Sequence, residues 1–379
     1  MGHQGLAVGR HEEQVVLVPY GLPGEVVDVE LTRRHKDYLE AEIVAVVEPS
    51  PHRVAPPCPY YGECGGCQWQ HVDYEYQLEL KTNVVRDQLR RIGKFTDAVV
   101  LPTLGMTTPW RYRNHARFTV NKDGGMGFVK RNTHRVIPIE ECLLLDDGIN
   151  TTLTALTGYC AETRELSVRY GVNTKDLLIQ PKIKNPALEI ETGQTHYDEE
   201  LLGHRFRVAS PSFFQVNTTQ AERLSELVRD YVAPTGNELV IDAYAGVGTF
   251  AVLLAPYVKH VLAIEESGPA VRDGQINAAA TPNVEFRQGK VENILPELPD
   301  RPDVVLLDPP RAGCYPGTLA GLIEHRPAQV IYVSCEPSTL ARDLRILCDG
   351  GFRLVEVQPV DLFPQTYHIE SVAYLVAQE

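Results

Sequence analysis

The chain has 379 residues, 43% of them hydrophobic and 23% charged, which suits a globular protein with a sizeable core and two or three domains. Its longest apolar runs, such as 251–255 and 304–307, are far too short to cross a bilayer. The opening MGHQGLAVGR lacks the basic-then-apolar pattern of a secretory leader, so the expected location is the cytoplasm. A formal net charge of −14 excludes a general nucleic-acid coat, yet between Tyr76 and Arg135 there are 12 Lys and Arg against 4 Asp and Glu. Such a block fits one specific polyanion contact, or equally a solvated helix face.

Residues 1 to about 50 read as short strands punctuated by Gly and Pro: Val15–Val18, then the Tyr20–Gly24 turn, Val26–Leu31 and Leu39–Val47. That spacing predicts a small β-barrel of the oligonucleotide-binding kind. Residues 51–72 form a Pro/Cys/Gly knuckle without periodicity. Residues 73–93 carry Tyr76, Leu80, Val84 and Leu89 at helical steps and stop at Gly93. From 110 to 210 the chain is strand-rich and irregular, with strands expected at 116–120, 126–129, 135–138 and 176–180. A helix over 220–231 then opens a region of alternating strands and helices, the pattern of a doubly wound α/β domain.

In that last region four apolar strands each end in a reactive or ligand-like residue. Leu239-Val240-Ile241 leads to Asp242-Ala243-Tyr244-Ala245-Gly246-Val247-Gly248, and Val261–Ile264 to Glu265. Val304–Leu307 leads to Asp308-Pro309-Pro310-Arg311, and Val330–Val333 to Ser334-Cys335-Glu336-Pro337. Ligands in open parallel sheets bind beyond the carboxyl ends of strands, so four such ends imply one lined pocket. Gly246 and Gly248 permit a tight turn, and Glu265, 19 residues after Gly246, is placed to bond a ribose diol. Glycines alone leave a nicotinamide enzyme as the rival; a dehydrogenase has no evident use for the Asp308 and Cys335 strand ends.

Cys335 at a pocket edge fits a thiolate that adds to an electron-poor carbon and later leaves. Uracil needs such help, because its C5 accepts no methyl group until a nucleophile has added at C6. The cycle then needs a base for the C5 proton, and Glu370, just before the final strand at 372–376, is the candidate. Elsewhere, Cys58, Cys64 and Cys67, set as C-x5-C-G-G-C, with Cys142 further on, could hold an iron–sulfur cluster or a zinc ion.

These motifs together resemble the uracil-5 RNA methyltransferase family over nearly the whole chain. The stretch GLAVGR…VVLVPYGLPGEVVDV is similar to the TRAM domain, an RNA-binding barrel. The resemblance implies an α/β fold: a Rossmann-like S-adenosylmethionine-dependent methyltransferase domain at 211–379, an iron–sulfur knuckle and β-rich central domain at 51–210, and the barrel at 1–50. It also implies that the helix at 73–93 packs on the catalytic domain. By the same resemblance Cys58, Cys64, Cys67 and Cys142 ligate a [4Fe–4S] cluster, while Gln215, Tyr244, Glu265 and Asp308 bind S-adenosylmethionine. Cys335 is then the nucleophile and Glu370 the base. Glu336 stands where the family commonly has Asn or Asp. The expected partner is RNA, ribosomal RNA first and tRNA as the alternative, with a monomeric chain and no membrane or DNA contact. A non-catalytic RNA-binding iron–sulfur protein is the competing class; it leaves the four strand ends idle.

Overall fold

The computed structural model of the protein describes residues 1–299 and 301–378. The chain begins with β1 (Ala7–His11), β2 (Gln14–Val18), β3 (Val26–Arg34) and β4 (Tyr38–Glu48), in the sheet order β1-β2-β4-β3. Register shifts at three points along the β3–β4 ladder bend this sheet over a small core of Val16, Val18, Leu39 and Ala41. Strand β1 escaped the sequence reading because four of its five residues are exposed and leave no apolar alternation.

Helix α1 (Tyr74–Arg91) follows the cysteine knuckle, capped by the Asp73 carboxylate, which accepts from the Tyr76 N–H at 3.0 Å. Its buried face holds Leu80, Val84, Val85 and Leu89, and also Gln77 and Lys81. Val84, Val85 and Leu89 join the same core as the C-terminal sheet. Lys81 is fully buried, its ammonium 2.6 Å from Asp361 Oδ1. The basic block therefore presents less free charge than its count suggests. Lys81 is inside, Arg90 and Arg91 both pair with Asp87, and Arg111 pairs with Glu141.

The central region is an antiparallel sheet, in the order β7-β6-β5-β8-β9, built from β5 (His115–Val120), β6 (Met126–Val129), β7 (Val136–Pro138), β8 (Glu165–Tyr170) and β9 (Leu177–Gln180). Helix α2 (Asp147–Leu156) packs Ile149, Leu153 and Leu156 into its core. A hairpin, β10 (His196–Leu201) and β11 (His204–Ala209), leads to α3 (Thr218–Val232).

The rest is a layered α/β unit. In chain order come β12 (Leu239–Ala243), α4 (Thr249–Leu254), β13 (His260–Glu265), α5 (Gly268–Asn277), β14 (Val284–Gln288), α6 (Val291–Ile294) and β15 (Val304–Leu307). Then follow α7 (Pro316–His325), β16 (Gln329–Ser334), α8 (Pro337–Asp349), β17 (Phe352–Val360) and β18 (Glu370–Ala377). The sheet order is β14-β13-β12-β15-β16-β18-β17, parallel except for β18. Its central strands β12, β13, β15 and β16 are buried along almost their whole length because both faces are covered. Helices α1, α7 and α8 supply Leu89, Leu319 and Leu344 on one face, and α3 and α4 supply Leu224, Val228 and Leu254 on the other. The chain reverses direction across the sheet between β12 and β15, so a crevice opens at their carboxyl ends.

The Lys81–Asp361 pair ties this unit to α1. Removing one charge strands the other in the interior, so Lys81→Met should destabilise the protein by about 3–5 kcal/mol. Lys81→Met with Asp361→Leu should recover most of that loss, and urea denaturation of the two variants checks it.

Candidate functional site

The crevice is built from strand ends. Beyond β12 the chain turns through Tyr244, Gly246 and Gly248, whose φ values of 68°, 57° and 83° are left-handed. A Cβ on Gly248 would meet Phe286 Cζ at 2.6 Å, whereas one on Gly246 would meet nothing within 4 Å. Gly248 is thus fixed by packing, while Gly246 faces open space that a ligand can enter. Glu265, ending β13, accepts from the N–H groups of Gly246 at 2.9 Å and Ser267 at 2.6 Å. Each carboxylate oxygen keeps acceptor capacity for hydroxyl groups. Gln215, Tyr244, Gly246 and Asp308 line one small pocket with Phe213 and Phe214. The Tyr244 hydroxyl points inward, 3.1 Å from Thr318 Oγ1, leaving its ring and strained backbone for the pocket.

Cys335 and Glu370 meet because β16 and β18 are antiparallel neighbours. Ser334 is in register with Ser371, so the next position along the ladder sets Cys335 opposite Glu370. Burial, then the Glu370 and Asp308 carboxyls, push the Cys335 thiol up to about 12, against a hydrogen bond and charge from Arg311. Glu370 is itself buried, and burial with the Asp308 charge raises it well above the usual carboxylate range. Burial lifts Asp308 to about 7. Asp242 rises to about 8 through burial and the Asp308 and Glu265 charges. Its Oδ2 accepts from the Ala251 N–H at 2.9 Å, and its Oδ1 is a buried atom without a partner. Carboxyl groups packed this closely cannot all ionise. A cation entering the crevice would relieve all of them at once.

Sequence reasoning had left Arg311 and Asp242 without roles, although Asp308-Pro309-Pro310-Arg311 already put the arginine beside a strand end. His368 was also passed over. It shares a narrow cleft with Cys335, Glu336 and Tyr367, its ring lies 3.4 Å from Arg311 Nη2, and burial lowers it to about 4, so it is neutral. Glu336 caps α8, accepting from the Ser338 hydroxyl at 2.8 Å.

The cysteine knuckle borders a second cavity, which shares Phe213 and Phe214 with the pocket beside Gln215. Cys58, Cys64, Cys67 and Cys142 line one cavity of about 610 Å³ with Tyr60, Phe128 and Ile139. Burial raises the thiols of Cys64, Cys67 and Cys142, and their mutual charges add to it. The Gly66 N–H donates to Cys64 Sγ at 3.4 Å. Among the described residues, no group of three or more His, Cys, Asp or Glu is set to hold a metal ion. No helix of the described residues is long and apolar enough to cross a membrane.

A seven-stranded sheet with one reversed strand and a carboxyl-rich crevice beside a thiol defines a group-transfer enzyme of the methyltransferase type. The dinucleotide-binding alternative has its six strands all parallel. Comparison with known proteins bears this out. The TRAM domain matches residues 1–44, and the family described as tRNA (Uracil-5-)-methyltransferase matches 190–294 and 301–378. An uncharacterized RNA methyltransferase of Halalkalibacterium halodurans is 35% identical over 98% of this chain and 94% of its own length. One of Synechocystis is 36% identical over 100% and 94%. Among solved structures, the Pyrococcus abyssi tRNA (uracil-54, C5)-methyltransferase in complex with S-adenosyl-L-homocysteine is similar, with a TM-score of 0.75, 27% identity and 95% of each chain covered. The chain belongs to the RNA methyltransferases of the uracil-5 family.

Three measurements follow from this geometry. Gly248→Ala should destabilise the fold by about 1–3 kcal/mol. Gly246→Ala should cost about 1 kcal/mol yet weaken S-adenosylmethionine binding by calorimetry; equal affinity for wild type and Gly246→Ala would mean the turn does not face the ligand. In the empty protein Cys335 should be a thiol at neutral pH, so its alkylation rate should climb about tenfold per pH unit through pH 10. A plateau near pH 8 would contradict the crowding of carboxyls around it.

Proposed function

We propose that this enzyme transfers a methyl group from S-adenosylmethionine to C5 of a uridine in RNA, with Cys335 as covalent nucleophile and Glu370 as base. The observation that carries the reading is that Cys335 and Glu370 flank the last pair of the β16–β18 ladder, Ser334 with Ser371, and that both feel the Asp308 charge. Gln215, the Tyr244 ring, Glu265 and Asp308 would hold the cofactor, which supplies an electrophilic methyl group on a cationic sulfur. The open face of Gly246 and the unpartnered Oδ1 of buried Asp242 fit that ligand.

The target uridine must leave its stack to reach this crevice. The Cys335 thiolate, steadied by Arg311, forms a bond to C6, and the displaced π electrons move to C5 and O4. C5 would then take the methyl group, whose bond to the donor's cationic sulfur breaks and leaves that sulfur as a neutral thioether. Glu370 removes the C5 proton, the C–H electrons restore the C5–C6 double bond, and the C6–S bond breaks to free Cys335. A carboxylate crowded by Asp308 is a stronger base than one in water, which suits a carbon acid.

Cys58, Cys64, Cys67 and Cys142 would hold a [4Fe–4S] cluster. Four thiols around a cavity suit a cluster, in which each sulfur binds its own iron. A single zinc ion needs all four within about 2.3 Å of one point. The role assigned to the cluster is structural, joining the knuckle at 58–67 to Cys142. Anaerobically purified protein should contain iron and acid-labile sulfide; stoichiometric zinc without sulfide would sink this assignment.

For the target, ribosomal RNA is the first reading, because a barrel and a cysteine cluster together resemble that branch of the family. The tRNA reading has its own support, since the Pyrococcus abyssi tRNA enzyme is similar over 95% of this chain. Mass mapping of 5-methyluridine in both RNAs from a deletion strain separates the two.

The residue roles are tested by two variants that should fail differently. Cys335→Ala should bind RNA and form no adduct. Glu370→Gln should complete attack and methyl transfer and then stall, giving a methylated RNA that migrates with the protein on a denaturing gel. Normal turnover by Glu370→Gln would remove it from the role of base.

A further inference from the structure

Between β17 and β18 the chain runs through residues 361–369 without regular structure, and its last step delivers Glu370. An irregular segment has no ladder to fix its shape, so its backbone must be bonded from outside. Tyr112, Asn217 and Gln220 each bond one of its carbonyls, and the densest set of bonds comes from α1, which lies 280 residues earlier in the chain. The Lys81 ammonium donates to Asp361 Oδ1 at 2.6 Å, the Phe363 carbonyl at 3.1 Å and the His368 carbonyl at 2.9 Å. An ammonium has three donors, and all three are spent on the beginning, middle and end of this one segment. Its side chain is 0% exposed.

Two neighbours on the same helix reinforce the grip. The Tyr74 hydroxyl donates to Asp361 Oδ2 at 2.9 Å, holding the carboxylate from its other side. Gln77 exchanges two bonds with Gln365: its Nε2 donates to Gln365 Oε1 at 2.9 Å, and its Oε1 accepts the Gln365 N–H at 3.1 Å. Structural stability alone does not call for this arrangement. A buried ion pair contributes little that a hydrophobic pair could not, and its attested use is to fix one geometry among several. The geometry fixed here is that of the residues flanking Glu370 and of His368, which lines the cleft containing Cys335.

We propose that Lys81 is a positioning residue for the reaction: through Asp361, Phe363 and His368 it holds the segment that sets Glu370 against the Cys335 adduct. This rests on the reading of Glu370 as base. Glu370 acts only after methyl transfer, so loosening the segment should slow release of the adduct more than its formation. Reacting groups displaced by about 1 Å lose rate on the order of a hundredfold, and a partial loosening should slow adduct breakdown by about tenfold.

The test compares wild type, Glu370→Gln and the neutral pair Lys81→Met with Asp361→Leu, each in a single turnover on RNA with S-adenosylmethionine. Adduct formation and decay are followed on denaturing gels, with thermal melting and S-adenosylmethionine affinity measured alongside. The expected result for the double variant is near-normal cofactor affinity, near-normal adduct formation and an accumulating methylated adduct that decays about tenfold more slowly. Tyr74→Phe, which removes one bond to Asp361, should show the same pattern more weakly, and it carries the test if the double variant does not fold. Equal slowing of formation and decay would indicate a structural role and overturn the proposal, as would normal decay. If Glu370→Gln itself traps no adduct, the base reading fails and the positioning role with it. If Glu370→Gln traps adduct while the Lys81 and Tyr74 variants decay normally, only the positioning role fails.

Discussion

Acidic groups crowded into a buried crevice are the constraint on which the rest of this site depends. The ends of β12, β15 and β18 bring Asp242, Asp308 and Glu370 together with Cys335, and burial raises all of them. Left alone, such a site holds its protons. Arg311 acts on both Cys335 and Glu370, and a positively charged methyl donor would complete the site electrostatically. The same crowding that keeps the thiol quiet makes an ionised Glu370 a strong base. On the proposed roles, reactivity is conditional on occupancy, which would shield the Cys335 thiol from oxidants and alkylating agents.

The second theme is that the catalytic sheet does not stand alone. Helix α1 belongs in sequence to the knuckle, yet Val84, Val85 and Leu89 complete one face of the C-terminal core. The knuckle is joined to the same loop region. The N–H groups of Gln68 and Trp69 donate to the Gln365 carbonyl at 3.1 and 3.0 Å, and the Tyr112 hydroxyl donates to the Pro364 carbonyl at 3.0 Å. Residues between Cys67 and Cys142 thus touch the segment before Glu370. A structural cluster at Cys58, Cys64, Cys67 and Cys142 would stiffen the support from which that segment hangs.

Much of this was legible in the sequence, and the rest was hidden for identifiable reasons. The four strand ends could be read because buried parallel strands are continuous apolar runs that stop abruptly at polar residues, as at Leu307–Asp308 and Ser334–Cys335. Helix α1 could be read from its stripe and its stop, but Lys81 could not: a lysine at a buried position looks like a break in the pattern until Asp361 is seen opposite it. Strand β1 was hidden by exposure, and α2, β8 and the β10–β11 hairpin by a mixture of short periods in a region read as irregular. The meeting of Cys335 with Glu370 depends on β18 inserting between β16 and β17, a topological fact that no local pattern carries.

Attack at C6 with methylation at C5 would free the C5 hydrogen, which therefore reports on the proposed reaction directly. RNA carrying tritium at C5 of its uridines should release tritium to water in one-to-one proportion to methyl groups transferred, with no release by Cys335→Ala. Methyl transfer without tritium release would place the methyl group on another atom and contradict the account.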